Sequence, residues 1–526
     1  MQKQNYNMRT ERKSSIKNSA TRLILIALLV LIQTGWMIVL MSKLNTYSTA
    51  ITLIMTCIAV IIALKVFGTH VNSAQRMPWL IVITAVPFFG ICIYLLFGRS
   101  IVTKGMRRRF NGIEADILKN KLKQDEQIIK ELEQKDPGIA NQCRYISNTA
   151  KYPVYKNTDM EYYNTALESF EAQLWELSKA EKFIFMEYHA IEDAISFERL
   201  KKVLIDKAKN GVEVRIFYDD LGSIFFLNKE FIKRMRDEGI QCRVFNPLKV
   251  IVNMFMNNRD HRKITVIDGK VGFTGGYNLA DEYFNITHPY GYWKDTGVKL
   301  TGDAVKSLTA SFLTMWNAID HTDSQEAYDE YIDATDGTYN AASQECYVQP
   351  YSDNPLGHDR IGEDVYLNIL KNAKHYVYIT TPYLIITDEM ERELRLAVKR
   401  GVDVRIVTPG IPDKKMVYKI TRSYYEPLCS AGVRIYEYTP GFCHAKQWVA
   451  DDEVCVVGTI NMDFRSLYLH FENAVFTYNR ELAGKVKADM LNNFEISNEV
   501  TSDYAVDVIR PLKLGTCMLH MISPLL

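Results

Sequence analysis

The chain has 526 residues, more than one hydrophobic core usually organises, so two or more folded units are expected. Its formal net charge is +1 with 24% charged residues, which excludes the broad basic field of a general nucleic-acid binder. Nine scattered cysteines without a C-x-x-C pair exclude a zinc ribbon or a disulfide scaffold and read as packing residues.

Residues 1–22 form a basic tail carrying Lys3, Arg9, Arg12, Lys13, Lys17 and Arg22. Residues 23–98 hold three apolar runs, at 23–41, about 50–67 and 79–97, each close to the roughly 20 residues that cross a hydrocarbon core. Successive runs of this kind predict an integral anchor of two to three transmembrane segments, not a cleaved signal peptide. Pro87 and Gly90 near the middle of the third run predict a kink or a re-entrant turn. The basic tail and Arg76 predict a cytoplasmic N-terminus. Arg99, Lys104, Arg107, Arg108 and Arg109 predict the same side for the flank after the third run, which three full crossings cannot satisfy. Either that run is re-entrant, or residues 107–109 rest on anionic headgroups.

Residues 99–150 read as a charged linker. Ile113, Ile117, Leu122 and Ile128 at helical spacing predict a surface helix or stalk over 104–135, ended by Pro137-Gly138. Beyond it the texture is α/β, and the same order occurs twice. Strand candidates at 183–186 and 212–217 flank a helix through 200–208; strand candidates at 376–379 and 402–407 flank a helix through 394–398. Gly-Val-x-Val-Arg-Ile stands at both 211–216 and 401–406. The fold expected is two similar α/β units, 151–340 and 341–526, packed as a pseudo-dimer behind the anchor.

Each unit carries His-x-Lys-x-x-x-x-Asp: His261, Lys263 and Asp268, then His444, Lys446 and Asp451. Gly275 and Asn278 recur as Gly458 and Asn461, every pair 183 positions apart. One such motif arises by chance only about 0.04 times in a chain of this length, so the matched pair is a strong signal. His and Lys two apart share one face of a strand. There an imidazole can attack phosphorus while the ammonium holds a phosphoryl oxygen whose charge grows in the transition state. Asn278 and Asn461 can donate further hydrogen bonds to that oxygen, whereas Asp268 and Asp451 lie past the strand ends and suit a turn-fixing role or a pairing with Lys. Two-step exchange at a phosphodiester needs one His as nucleophile and one as acid/base, so a single site between the halves is expected. Each ring also needs an acceptor on its other nitrogen, and Asp295 and Glu472 are the candidates. A metal site is disfavoured by the Lys beside each His and by the absence of Cys or carboxylate at ligand spacing.

These motifs, with Gly-Tyr-Trp-Lys-Asp-Thr at 291–296 and Gly-Thr-Ile-Asn-Met-Asp-Phe-Arg-Ser at 458–466, resemble the phospholipase D superfamily and, more narrowly, bacterial cardiolipin synthases. The resemblance implies transfer of a phosphatidyl group from one phosphatidylglycerol to another through a phosphohistidine, with His261 as nucleophile and His444 as acid/base, or the reverse. It implies no metal or other cofactor, phosphatidylglycerol and other anionic phospholipids as partners, no nucleic acid, and a multi-pass place in a bacterial cell membrane; it leaves the oligomeric state open. A phospholipase D hydrolase and a membrane-tethered nuclease are the alternatives. Gly276 and Thr459 stand where the superfamily pattern has serine. The tail at 510–526, apolar with few charges, is expected on the membrane surface.

Overall fold

The computed structural model describes residues 49–69, 72–98, 104–228, 230–247, 258–334, 339–342, 345–507 and 514–523, with isolated positions between 28 and 39. The apolar run at 23–41 lies outside these apart from those positions. The run at 50–67 forms α1 (Thr49–Phe67). The run at 79–97 is split into α2 (Ser73–Ala85) and α3 (Pro87–Phe97), with Val86 (φ −135°, ψ 79°) outside the helical region between them. Pro87 takes the first turn of α3, where its missing N–H costs nothing. The two helices fold back on each other: Trp79 meets Tyr94 edge-on at 5.4 Å, and a Cβ on Gly90 would lie 2.3 Å from the Val82 carbonyl oxygen. A glycine is required at this close approach. Among the described residues no helix is long and apolar enough to cross a membrane. The three helices bury Ala59, Val66, Trp79, Ile83 and Ile91 among themselves and leave Leu53, Ile54, Ile61, Leu64, Ile81 and Leu95 exposed.

The charged linker is not a stalk. It is three helices, α4 (Lys104–Asn120) and two more at Glu126–Lys135 and Pro137–Thr149, and Pro137 opens the last of them on the side chain of Asp136. Phe110, Ile117, Leu122 and Leu132 enter the main core. Arg107 and Arg109 donate to the carbonyls of Leu356 and Ala318 in the catalytic body, and both side chains stay exposed.

The first unit contains β1 (Thr158–Tyr163), β2 (Phe183–Tyr188), β3 (Glu213–Asp219), β4 (Gln241–Phe245), β5 (Arg259–Asp260), β6 (Lys263–Ile267), β7 (Val271–Gly275), β8 (Tyr292–Lys294), β9 (Gly297–Gly302) and the buried helix α5 (Val305–Ile319). The second contains β10 (Tyr347–Asp353), β11 (Tyr376–Thr380), β12 (Leu384–Ile385), β13 (Asp403–Pro409), the helix α6 (Lys415–Ser423), β14 (Arg434–Tyr438), β15 (Gly441–Cys443), β16 (Gln447–Ala450), β17 (Val454–Gly458), β18 (Met462–Asp463), β19 (His470–Tyr478) and β20 (Asn498–Glu499), then the helix α7 (Leu514–Ile522). The first sheet runs β1-β9-β7-β6-β2-β3-β4 and the second β10-β19-β17-β16-β11-β13-β14-β20, the same order with one strand added. In both, the motif strand (β6 or β16) lies antiparallel to a strand that continues into a parallel pair (β2-β3, β11-β13). One continuous core takes Phe185, Val266 and Phe312 from the first unit and Tyr347, Ile379 and Trp448 from the second.

Candidate active site

Two short ladders cross between the units, and each ends on a candidate pair. β5 runs parallel to the start of β19, with Arg259 opposite His470 and Asp260 opposite Phe471, so His261 comes next opposite Glu472. β15 runs parallel to β8, with Cys443 opposite Lys294, so His444 comes next opposite Asp295. Amide bonds from His261 N to Phe471 O (2.9 Å) and from His444 N to Lys294 O (2.7 Å) extend each ladder. The side chains meet accordingly. His261 Nδ1 lies 2.9 and 3.0 Å from the two Glu472 oxygens, and His444 Nδ1 lies 2.6 Å from Asp295 Oδ2. A proton on each Nδ1 leaves Nε2 of the ring with its lone pair, which in His444 faces Lys446 Nζ at 2.9 Å. Each imidazole is thus oriented by the carboxylate of the other unit.

Lys263 and Lys446 curl back onto the carbonyls of His261 and His444, and Lys446 Nζ also lies 2.8 and 2.9 Å from the ring nitrogens of His444. All four side chains are buried. Burial, reinforced by the ammonium groups, holds His261 well below its ordinary range and His444 at about 3. Burial brings Lys263 down to about 7 and Lys446 to about 8 against the pull of Glu472 and Asp295. Asp295 is pushed up by burial but held lower overall by His444, Lys446 and the Thr296 amide. The result is a neutral pair of imidazoles beside two lysine side chains that are in direct ion-pair contact with no carboxylate among the described residues, so both N–H donors can turn to a bound phosphodiester anion.

A pH dependence follows. Only the protonated lysine stabilises phosphoryl charge, and in the free protein that form is lost as pH rises through about 7 to about 8. The imidazoles are already neutral there and offer no offsetting gain. We expect kcat/KM to fall along an alkaline limb in this window and the kcat limb to lie higher, because bound phosphate raises both lysines. Steady-state rates on a dispersed short-chain phosphatidylglycerol check this, and a flat kcat/KM to about pH 9 contradicts it.

Asp268 and Asp451 stand at the far ends of β6 and β16 from the histidines. Asp268 accepts from the amides of Glu181, Lys182 and Phe183 at 2.7–2.8 Å, and Asp451 from those of Lys374, His375 and Tyr376 at 2.6–2.9 Å. Both have left-handed backbones, φ 53° and 54°. They belong to the motif but not to the reacting cluster, and their partners are amides, not Lys263 or Lys446. Asp268→Ala is expected to cost about 3 kcal/mol of stability while folded protein keeps its kcat; denaturant melts beside single-turnover rates separate the two effects.

Asn278 is committed locally, accepting from Ala190 N at 3.2 Å and donating to Tyr283 OH at 2.8 Å. Asn461 is buried with an Oδ1 that has no hydrogen-bond partner among the described residues. Lys294 is a buried ion-pair partner of Asp489 at 2.6 Å.

Sequence reasoning passed over the contacts of Gly276 and Thr459. Thr459 Oγ1 donates to Glu472, whereas at the matching position of the first unit a Cβ on Gly276 would lie 2.1 Å from Asp295 Oδ1. One position in each unit therefore fits the carboxylate of that unit. Gly276→Ala is expected to displace Asp295 and lower kcat by about 10²-fold or more, as misplacement by about 1 Å does. His189 and His470 were also missed, having no motif around them. Their rings lie 5.0 and 5.4 Å from that of His261. His261, His470 and Glu472 bring potential metal ligands within 4.8 Å of one another, which chain spacing did not foretell; the ammonium of Lys263 beside them opposes a cation.

A family model described as "Cardiolipin synthase, PLD-like domain" matches residues 174–316 and 366–493. The chain is 32% identical to a cardiolipin synthase of Clostridium perfringens over 460 residues, 86% of this chain and 95% of that one. The chain belongs to the cardiolipin synthase family of phospholipase-D-like proteins. The two matched segments contain His261 and Asp295, then His444 and Glu472, so the cardiolipin synthase match covers both crossed pairs. A second model, "Phospholipase_D-nuclease N-terminal", covers residues 54–99 and hence most of α1 to α3. An uncharacterised Streptococcus mutans protein is 39% identical over 88% of this chain and 99% of its own length. The phosphatidylserine synthase of Haemophilus influenzae shares the fold, with a TM-score of 0.54 at 14% identity, covering 69% of this chain and 93% of that one.

Proposed function

We propose that the chain makes cardiolipin, transferring a phosphatidyl group from one phosphatidylglycerol to the free glycerol hydroxyl of a second and releasing glycerol. The observation that carries this reading is the crossed pair of imidazole–carboxylate contacts, which supplies two differently held imidazoles at one site. In the first step His444, protonated on Nε2 from solvent once the substrate phosphate is bound, gives that proton to the leaving glycerol oxygen as His261 Nε2 attacks phosphorus and the bond to glycerol breaks. In the second, His444 takes the proton from the incoming hydroxyl, whose oxygen displaces His261 from phosphorus. Protons and phosphodiester bonds balance over the cycle. His444 suits the acid/base role because its bond to Asp295, at 2.6 Å, is the shorter and Asp295 is held ionised. Substrate phosphate offsets the ammonium charges that keep this ring neutral in the free protein.

The helices α1 to α3 are the membrane seat in this reading, supported by their exposed apolar side chains. The hairpin of α2 and α3 returns the chain to the side from which it entered, so Arg76 and the basic flank at 104–109 share one side. Purified protein given phosphatidylglycerol bilayers should release glycerol and cardiolipin in equal amounts. Phosphatidic acid without cardiolipin would make the protein a hydrolase.

A further inference from the structure

One face of the catalytic body continues from the N-terminal helices to the rim of the site. Asn72, at the start of α2, donates to Tyr468 OH at 3.1 Å, and Tyr468 lies four residues before Glu472. α2 also packs against α7, and α7 against α6; His520 of α7 stacks on Tyr424 at 4.7 Å and bonds to Ser423 at the end of α6. The other end of α6 reaches the site. Lys414 Nζ lies 5.3 Å from the Tyr383 ring, Tyr383 6.4 Å from Phe442, and Phe442 5.7 Å from His444.

The outward side of this path has the chemistry of an interfacial surface. Ile411 is 42% exposed, Met416 51%, Met518 59% and Leu514 80%. Lys415 and Lys419 are exposed, sit one turn apart on α6, and have no carboxylate partner among the described residues. Apolar side chains beside cations on a short helix match the boundary between anionic headgroups and acyl chains. The packing of α7 on α2 joins these residues to the N-terminal helices, whose Met77 and Ile81 are also exposed.

From this we infer that α6 and α7, together with the rim residue Ile411, form a docking surface for an anionic phospholipid bilayer, holding the mouth of the active site against the headgroups. The inference rests on the lipid-substrate reading above and deepens it by naming the part of the catalytic body that meets the membrane. Such a placement lets phosphatidylglycerol pass from the leaflet to His261 and His444 without its acyl chains crossing water.

The test uses the full chain, reconstituted in phosphatidylglycerol-containing bilayers, with Cys57, Cys92 and Cys517 changed to Ser. A bimane label is placed at Met416→Cys, at Leu514→Cys, or at Lys374→Cys, the last on the opposite end of the second sheet beside Asp451. Lipids brominated near the headgroup should quench labels at 416 and 514 and leave 374 unaffected. In parallel, the Lys415→Glu/Lys419→Glu variant should raise the ratio of KM on bilayers to KM on dihexanoyl-phosphatidylglycerol by about tenfold or more. An unquenched label at 416 in protein that still turns over dispersed lipid would assign the face to a protein partner or a second copy and overturn the inference. Absence of turnover on both lipid forms by the wild-type chain would instead sink the functional reading, whatever the quenching shows.

Discussion

Replacing His261 with alanine is expected to lower phosphatidylglycerol turnover by about 10⁶-fold, the loss typical of removing a nucleophile that acts as one unit with its base. Removal of His444 should look the same on the natural substrate but not on an activated one. A phosphatidyl ester of p-nitrophenol needs no proton for its leaving group, so His444→Ala should still release one equivalent of p-nitrophenol and then stall as the phosphohistidine, since the second step lacks its base. His261→Ala should give neither burst nor label. Rapid-quench kinetics with labelled lipid read both outcomes. A burst in His261→Ala and none in His444→Ala would exchange the two roles, and bursts in both would place the covalent step elsewhere.

Much of the catalytic body is legible in the sequence because its strands are short and apolar and its two units repeat. The strand candidates at 183–186 and 376–379 became β2 and β11, and the constant offset of 183 positions matches the shared strand order of the two sheets. Spacing also singles out Asp295 and Glu472 as acceptors, but it says nothing of which ring each one faces. That depends on the registers of β5 with β19 and of β8 with β15, pairings of segments about 150 to 210 residues apart that local pattern does not encode. The linker at 99–150 misled for a different reason. Its outward charges are many, while its inward residues, among them Phe110 and Ile117, meet a partner helix, α5, that lies about 200 residues later. Amphipathic spacing fixes a helix and its apolar face, not what covers that face. Gly90 carried a readable clue in the third apolar run, since only a helix approached closely by another backbone needs a residue without a side chain there.

The crossing of the acids leads to the second large effect. Glu472→Gln and Asp295→Asn keep the volume of each side chain but replace an obligate acceptor with an amide, which can face its imidazole with the wrong tautomer; about 10⁴-fold in kcat is the usual loss for such a change. The two variants should fail at different steps, and each at the step of the His in the opposite unit. Glu472→Gln disables His261, so even the p-nitrophenyl substrate should give no burst. Asp295→Asn disables His444, so that substrate should give a burst followed by a stall, as in His444→Ala. Combining each acid variant with alanine at its own imidazole should add little further loss, because a ring that is absent cannot be misoriented, whereas Glu472→Gln with His444→Ala should be worse than either. If Asp295→Asn instead abolished the burst and Glu472→Gln preserved it, the hydrogen bonds seen across the interface would not be the ones that act in catalysis. If the crossing holds, neither unit alone contains a complete imidazole–carboxylate pair, and the continuous core between the units is a requirement of the chemistry.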